Sequence, residues 1–382
     1  MTEEEKQMIE KIENLRQKLD ILFLFVVVVE FQLFGTVWAM MNVSGKPYLL
    51  LYWGFVALAL AKLCIQKNSW KEWLMIAALM VLGVLSWHGS DDKTPLLLML
   101  GVCMSKDVEL DRLLKVDLIC RICSTCLLIL LPVMGICENM VKVSRGISRY
   151  YFGWQAPGSM GLAFLIICIE WMYFRHGQFK WFDYAGLAAL LVFLDRTANS
   201  RSSEVLILGI FCVEAFMTVY RKLKLPWKEY QLYGAGCLAA LGLDLASFVF
   251  AMNYHMAENN TLMTMDKNFF SRFSLPRAFL DVHGWTLLGS PYDPEVYDYL
   301  DISFAYLSLH LGILIAVAVF VLFAGSIVYG WKKKDVRFQL VLLFFLLRSI
   351  VESDHFTLLY APLPIVLGIW LWHRRQDGQI YE

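Results

Sequence analysis

Hydrophobic residues fall in twelve runs along the chain, near 21–43, 47–65, 72–88, 94–104, 116–138, 158–174, 182–194, 203–220, 231–252, 302–330, 336–351 and 358–373. Most are roughly 17 to 25 residues long, the length of helix that crosses a hydrocarbon core of about 30 Å. The pattern predicts an all-α polytopic membrane protein with about 12 transmembrane helices. The runs at 94–104 and 182–194 are short for a full crossing, which tilt, local thinning or a re-entrant path would accommodate. Residues 1–20 are charged, with Met8, Ile9, Ile12, Leu15 and Leu19 at helical spacing, and predict a cytoplasmic or interfacial helix. They lack the basic start and small-residue cleavage site of a signal peptide. Residues 21–373 then form one transmembrane domain with an outer segment at 253–300, and 374–382 a cytoplasmic tail.

Composition agrees: 58% of residues are hydrophobic and 18% charged, against about half and a quarter in soluble domains. No room remains for a separate soluble domain. The distribution of charge is more telling than its zero net value. With the N-terminus inside and twelve crossings, the inner loops and termini hold 22 of the 34 Lys and Arg, as the positive-inside rule requires. The C-terminus is then also cytoplasmic. Nine cysteines include a Cys120-Cys123-Cys126 series, but it lies inside an apolar run. It offers no closed four-ligand set, so no metal is expected.

The cations on the outer side are the exception to the charge rule. They include Arg145, Arg149, Arg196, Arg201, Arg272 and Arg277, whereas the inner loops are richer in lysine. Arginine's planar fork suits bidentate contact with phosphate or carboxylate. Asn139–Gly161 combines Lys142, Arg145 and Arg149 with Tyr150, Tyr151, Phe152, Trp154, Gln155 and glycines. Cations, stacking rings and a pliable backbone in one outer stretch point to an anionic, sugar-bearing ligand. Residues 195–204 and the pair Arg272 and Arg277 are further candidates. The competing reading is that each arginine anchors at the headgroups and the rings form an interfacial belt.

Candidate bases on that side are Asp195, Glu204, Asp281, His283, Asp301, Glu352, Asp354 and His355. Asp301 also suits a helix N-terminus, and Glu352, Asp354 and His355 read most simply as a solvated turn. Arg121 and Arg348 lie within spans, where a charge calls for a polar partner. Glu30, Glu170, Glu214 and Asp244 are the predicted candidates.

Three stretches carry a family resemblance. RYYFGWQAPGSMG at 149–161 resembles a motif of the O-antigen and exopolysaccharide repeat-unit polymerases (Wzy type, in the O-antigen polymerase/ligase superfamily). There the stretch reads R-Y-x-F-G-F-x-H-P-N with glycine soon after. TANSRSS at 197–203 resembles their Thr/Ser-x-x-Arg-Ser turn. Ser271-Arg272, LLGSP at 287–291 and the segment ending YDYLDISFAYLSLHLG at Gly312 resemble their arginine, Leu-Phe-Gly and Leu-Asp-Asn-x-Tyr segments. The likeness spans residues 140 to 360. One departure is that Gln155-Ala156-Pro157-Gly158 stands where the family has His-Pro-Asn.

The resemblance implies a GT-C-like glycosyltransferase embedded in the bacterial cytoplasmic membrane. It would join undecaprenyl-pyrophosphate-linked glycans on the outer face among membrane lipids, alongside a chain-length regulator and a flippase. No cofactor and no nucleic acid is implied. Arg149, Arg201 and Arg272 would hold the pyrophosphates, with Arg145, Tyr150, Gln155, Arg196, Arg277 and Asp301 lining the substrate site. Asp281, His283 or Glu352 would be the base. A polysaccharide ligase of the same architecture is the near alternative. A lipid-linked oligosaccharide transporter is the distant one, which would show internal repeats and interrupted helices; the sequence displays neither.

Overall fold

The computed structural model describes residues 46–376 apart from 67, 137, 140, 145–146, 155, 224–227, 255–265, 267–271, 292–299, 357 and 359, with four isolated positions nearer the N-terminus. Most of the predicted N-terminal helix, the first span, Arg145, Gln155 and half of the outer segment 253–300 lie outside the described residues, as does Glu30. The chain is mostly helical, and six of its described helices are long and apolar enough to cross a membrane. It divides into two compact units, Met1–Trp73 with Asp107–Lys224, and Leu74–Lys106 with Leu225–Glu382.

The first unit contains α1 (Lys46–Ile65), and α2 (Trp70–Ser90) begins in it. It continues after residue 106 with α4 (Leu110–Val133), a β-hairpin of β1 (Val141–Ser144) and β2 (Ile147–Tyr150), α5 (Pro157–Arg175), α6 (Trp181–Arg196) and α7 (Arg201–Leu223). Helix α5 packs against α4 and α7, and α6 against α7. Two-thirds of the α5 apolar window is buried, against one-third in α4 and α7, so α5 is the helix around which this unit closes.

The hairpin stands where the sequence pattern suggests only an interhelical loop. Its strands pair antiparallel, with Lys142 opposite Arg149 and Val141 opposite Tyr150. Val141 and Val143 alternate with Lys142 and Ser144 ahead of Arg145-Gly146, and β-branched Ile147 follows it; such a pattern about a two-residue connection favours a hairpin over a coil. It docks through the Tyr150 N–H, which donates to the Thr197 carbonyl at 3.0 Å.

The second unit holds most of α2, then α3 (Thr94–Met104), α8 (Glu229–Met252), α9 (Ser274–His283), a short α10 (Ser303–Ala305), α11 (Ile313–Lys333), α12 (Val336–Ser349) and α13 (Leu363–Gln376). Helix α3 has eleven residues, and all from Pro95 to Met104 are buried. At about 1.5 Å per residue it is shorter than a hydrocarbon core of about 30 Å, and it lies buried along α13. Arg277 Nη1 donates to the Met252 carbonyl at 2.6 Å, fastening α9 to the end of α8. Between them Phe279, Ala251, Met252, Leu300, Ile302, Ala305 and Leu309 form a buried apolar cluster.

The apolar run 302–330, expected as one continuous span, is interrupted. Helix α10 widens into a π turn at Tyr306–His310, the chain breaks at Leu311–Gly312, and α11 starts afresh. Residues 286–290 satisfy the broken backbone: Ile313 N–H donates to Thr286 O at 3.1 Å and Leu314 N–H to Leu287 O at 3.2 Å. Ser290 N–H donates to His310 O at 2.9 Å. The Ser86 hydroxyl donates to the Leu311 carbonyl.

Candidate functional site

The second unit gathers charge at one end of its helices. Arg272 lies just ahead of α9, Asp301 just ahead of α10, and Glu352 in the turn after α12. Arg272 Nε donates to Asp301 Oδ2 at 3.0 Å and its Nη2 to Glu352 Oε1 at 3.1 Å. The three side chains are only 17%, 23% and 23% exposed, so the guanidinium is neither an anchor splayed to headgroups nor sealed from ligand. The Ser303 hydroxyl donates to Glu352 O at 2.8 Å and the Ser353 hydroxyl to Leu300 O at 3.2 Å, which locks the two acid-bearing segments together.

Behind this bridge lies a second ion pair. Arg348, fully buried, donates from Nη2 to Asp354 Oδ2 at 2.8 Å and from Nε to Oδ1 at 3.3 Å. This partner is local, six residues on, and was not among the predicted acids. His355 is also fully buried, its Nδ1 3.7 Å from Asp354 Oδ1, and its ring packs on Phe356 with centroids 4.4 Å apart. The turn 352–355 is thus not the solvated one expected.

Burial and the nearby Glu352 carboxylate push the Asp301 carboxyl up to about 7, against the pull of Arg272. Burial acts upward on Asp354 too, but the Arg348 guanidinium, with His355, outweighs it and holds that carboxyl down at about 2. Burial depresses His355 as well. The result is one carboxyl near its neutral point and another held ionised within a single cluster, the division of roles that acid–base chemistry needs.

In the first unit, Arg149 and Arg201 flank Glu204, with Asp195 also close. Arg149 Nε and Glu204 Oε1 are buried and make no hydrogen bond. Two of the predicted arginine groups therefore meet where the hairpin docks on the 197–201 turn. Arg196 does not join them; it is 82% exposed and 3.9 Å from Asp195, as a headgroup anchor would be. Of the predicted stacking rings, Trp154 and Tyr151 are buried, and Tyr150 stays exposed.

Other candidates are committed elsewhere. Asp281 pairs with Arg277 at 2.7 Å and is more than half exposed. The His283 ring stacks on Phe279, centroids 4.4 Å apart. Arg121 pairs with Asp117 one turn away at 3.0 Å, and Glu170 faces that pair. Glu214 bonds His176 Nδ1 at 2.6 Å. Two residues absent from the sequence-based candidates, Asp92 and His310, face each other at 3.2 Å beside the helix break. A histidine within an apolar run was the available signal for them.

Comparison of the chain with protein families, with characterised proteins and with solved structures finds no match.

Proposed function

We propose that the protein is a repeat-unit polymerase of the Wzy type, a GT-C-like glycosyltransferase with about 12 crossings and both termini in the cytoplasm of a bacterium. It joins undecaprenyl-pyrophosphate-linked oligosaccharides on the outer face of the membrane. The observation that carries this reading is the Arg272 bridge to Asp301 and Glu352 at the helix ends remote from the lysine turn 332–334. Basic turns favour the cytoplasm, and α11 of 21 residues is about 31 Å long. The resemblance of the Arg272 and Asp301 segments to that family supports the same assignment.

In this reaction a terminal hydroxyl of one lipid-linked repeat attacks the anomeric carbon of the growing chain. A new glycosidic C–O bond forms, the C–O bond to pyrophosphate breaks, and the hydroxyl proton passes to a carboxylate. Asp301, with its neutral point near working pH, suits that transfer better than the exposed Asp281. Arg272 meets the charge developing on the leaving pyrophosphate, and Glu352 holds its fork in place. The interrupted helix at 311–312 is a feature of carriers. Here, however, the 286–290 segment and Ser86 occupy the backbone groups an ion would use.

Arg272→Lys keeps the charge but loses the fork. Removing one such donor typically costs about 10²–10³ in rate, so cells carrying it should accumulate single lipid-linked repeats at near-normal protein abundance. Long unattached polymer would indicate a ligase instead, and repeats trapped on the inner face a flippase. Normal polymer with Arg272→Ala would overturn the assignment.

A further inference from the structure

The 301–310 segment carries Asp301 at its start and is held at its far end by a second polar cluster. The α2–α3 turn supplies Asp92, whose Oδ1 accepts the Thr94 N–H at 2.8 Å. Its Oδ2 accepts the Tyr306 hydroxyl at 2.6 Å and faces His310 Nε2 at 3.2 Å. His310 Nδ1 lies 2.8 Å from the Ser290 carbonyl. The His310 side chain is 5% exposed and that of Asp92 29%. Thr94 and Tyr360 lie beside the Tyr306 hydroxyl.

Burial would raise the Asp92 carboxyl, but the bonds from His310, Tyr306 and the Thr94 amide hold it at about 2. It is therefore ionised and can only accept. The Ser290 carbonyl also only accepts, and the His310 ring lies between these two acceptors. The imidazole joins two loops to the π turn, a helical form that recurs at functional sites. Tyr306 and His310 reach the same oxygen because that turn brings their rings to 5.3 Å.

We propose that Asp92 and His310 are positioning residues: together they clamp the π turn and so fix the segment that presents Asp301 to Arg272. The inference rests on the polymerase reading of the Arg272 site. The clamp acts through the stretch from Ser303 to His310, whose helical path leaves little slack once both ends are fixed.

The test uses the full chain with Asp92→Asn, which keeps an acceptor for Tyr306 but removes the charge facing His310. His310→Gln is the second variant, in case the first fails to fold. Amide hydrogen exchange across 306–314, measured in lipid nanodiscs, should quicken in both. In membranes that make the native lipid-linked repeat, polymer formation should fall by about 10²-fold, the effect of a displacement near 1 Å. The wild-type rate should rise with pH through the Asp301 titration. In the variants its midpoint should move up by about 1 unit as Asp301 loses its fixed arginine.

Unchanged exchange at 306–314 would overturn the clamp. Faster exchange with a lower yield but an unmoved midpoint would reduce it to a structural tie and overturn the positioning role. If the wild type makes no polymer from its own lipid-linked repeats, the functional reading fails and this inference falls with it. If the wild type makes polymer and both variants match it, the inference alone fails.

Discussion

Arginine 348 and arginine 272 carry the same charge in the same cluster, yet their surroundings assign them different tasks. Arg348 is fully buried against Asp354, whereas Arg272 is partly open and bridges Asp301 and Glu352. Breaking a buried pair by removing one member typically costs about 3–5 kcal/mol, because the other charge is left uncompensated. Asp354→Asn should therefore lower thermal stability and membrane abundance sharply. Glu352→Gln, which leaves Arg272 on Asp301, should change them little while lowering the proposed polymer formation. Asp301 makes a further prediction. Its carboxyl stands at about 7 when folded, above the ordinary aspartate value of about 3.9, so the folded state binds its proton more tightly. That contribution to stability is complete below about pH 4 and is lost as pH rises to about 7. Melting temperature measured against pH should show this decline, and Asp301→Asn should remove it; an identical slope in the variant would refute it. The sequence made Arg272, Asp301 and Glu352 visible as residue types on one side of a membrane. It could not show that 29 and 80 positions of separation close to single hydrogen bonds. The pairing of Arg348 with Asp354 was missed because an acid six residues on lay outside the span and looked solvated.

At the scale of elements, hydropathy located the long helices well but not the two places where backbone geometry departs from them. Leu311-Gly312-Ile313 is as apolar as its neighbours, so nothing in the run announces a break. What permits it is the 286–290 segment, which supplies hydrogen bonds to amides that would otherwise be exposed in an apolar setting. Two glycines make that approach possible. Gly289 and Gly312 adopt φ of 100° and 104°, and a Cβ on Gly312 would stand 2.5 Å from the Gly289 nitrogen and 2.6 Å from the Leu287 carbonyl oxygen. Gly312→Ala should destabilise the protein by about 1–3 kcal/mol or more from backbone strain alone. Gly186, within α6, has no atom within 4 Å of its would-be Cβ, and replacing a helical glycine by alanine gains about 1 kcal/mol. Gly186→Ala should thus hold or raise the melting temperature, and equal losses in both variants would show that the break needs no glycine. The hairpin was not expected either, although VKVS and a β-branched Ile147 about a two-residue link were the available signal. The long apolar runs on either side of it argue for a loop only because they say nothing of the polar residues between them.

Each unit of the molecule carries its own polarity of charge, and the two agree. In the second unit, α11 ends in Lys332 and Lys333, while Asp92, Arg272, Asp301 and Glu352 lie toward the other ends of its helices. In the first, α5 ends at Arg175 and α7 closes on Arg221 and Lys222, while the hairpin and the 195–201 turn lie at their opposite ends. Lysine- and arginine-rich turns stay in the cytoplasm, so each unit separately predicts that its arginine–carboxylate cluster faces outward. Single cysteines placed at Asp195 and Lys93 in a background free of the nine native cysteines should react with a membrane-impermeant maleimide in intact cells lacking an outer barrier. Cysteines at Lys222 and Lys333 should react only after permeabilisation. Since each unit supplies one position on each side, the four labels are two independent determinations. Reversal in both would move the clusters to the cytoplasm and overturn the proposed function. Reversal in one would mean that the short runs 94–104 and 182–194 were miscounted as crossings, and the buried, eleven-residue α3 would be the first to strike from the count.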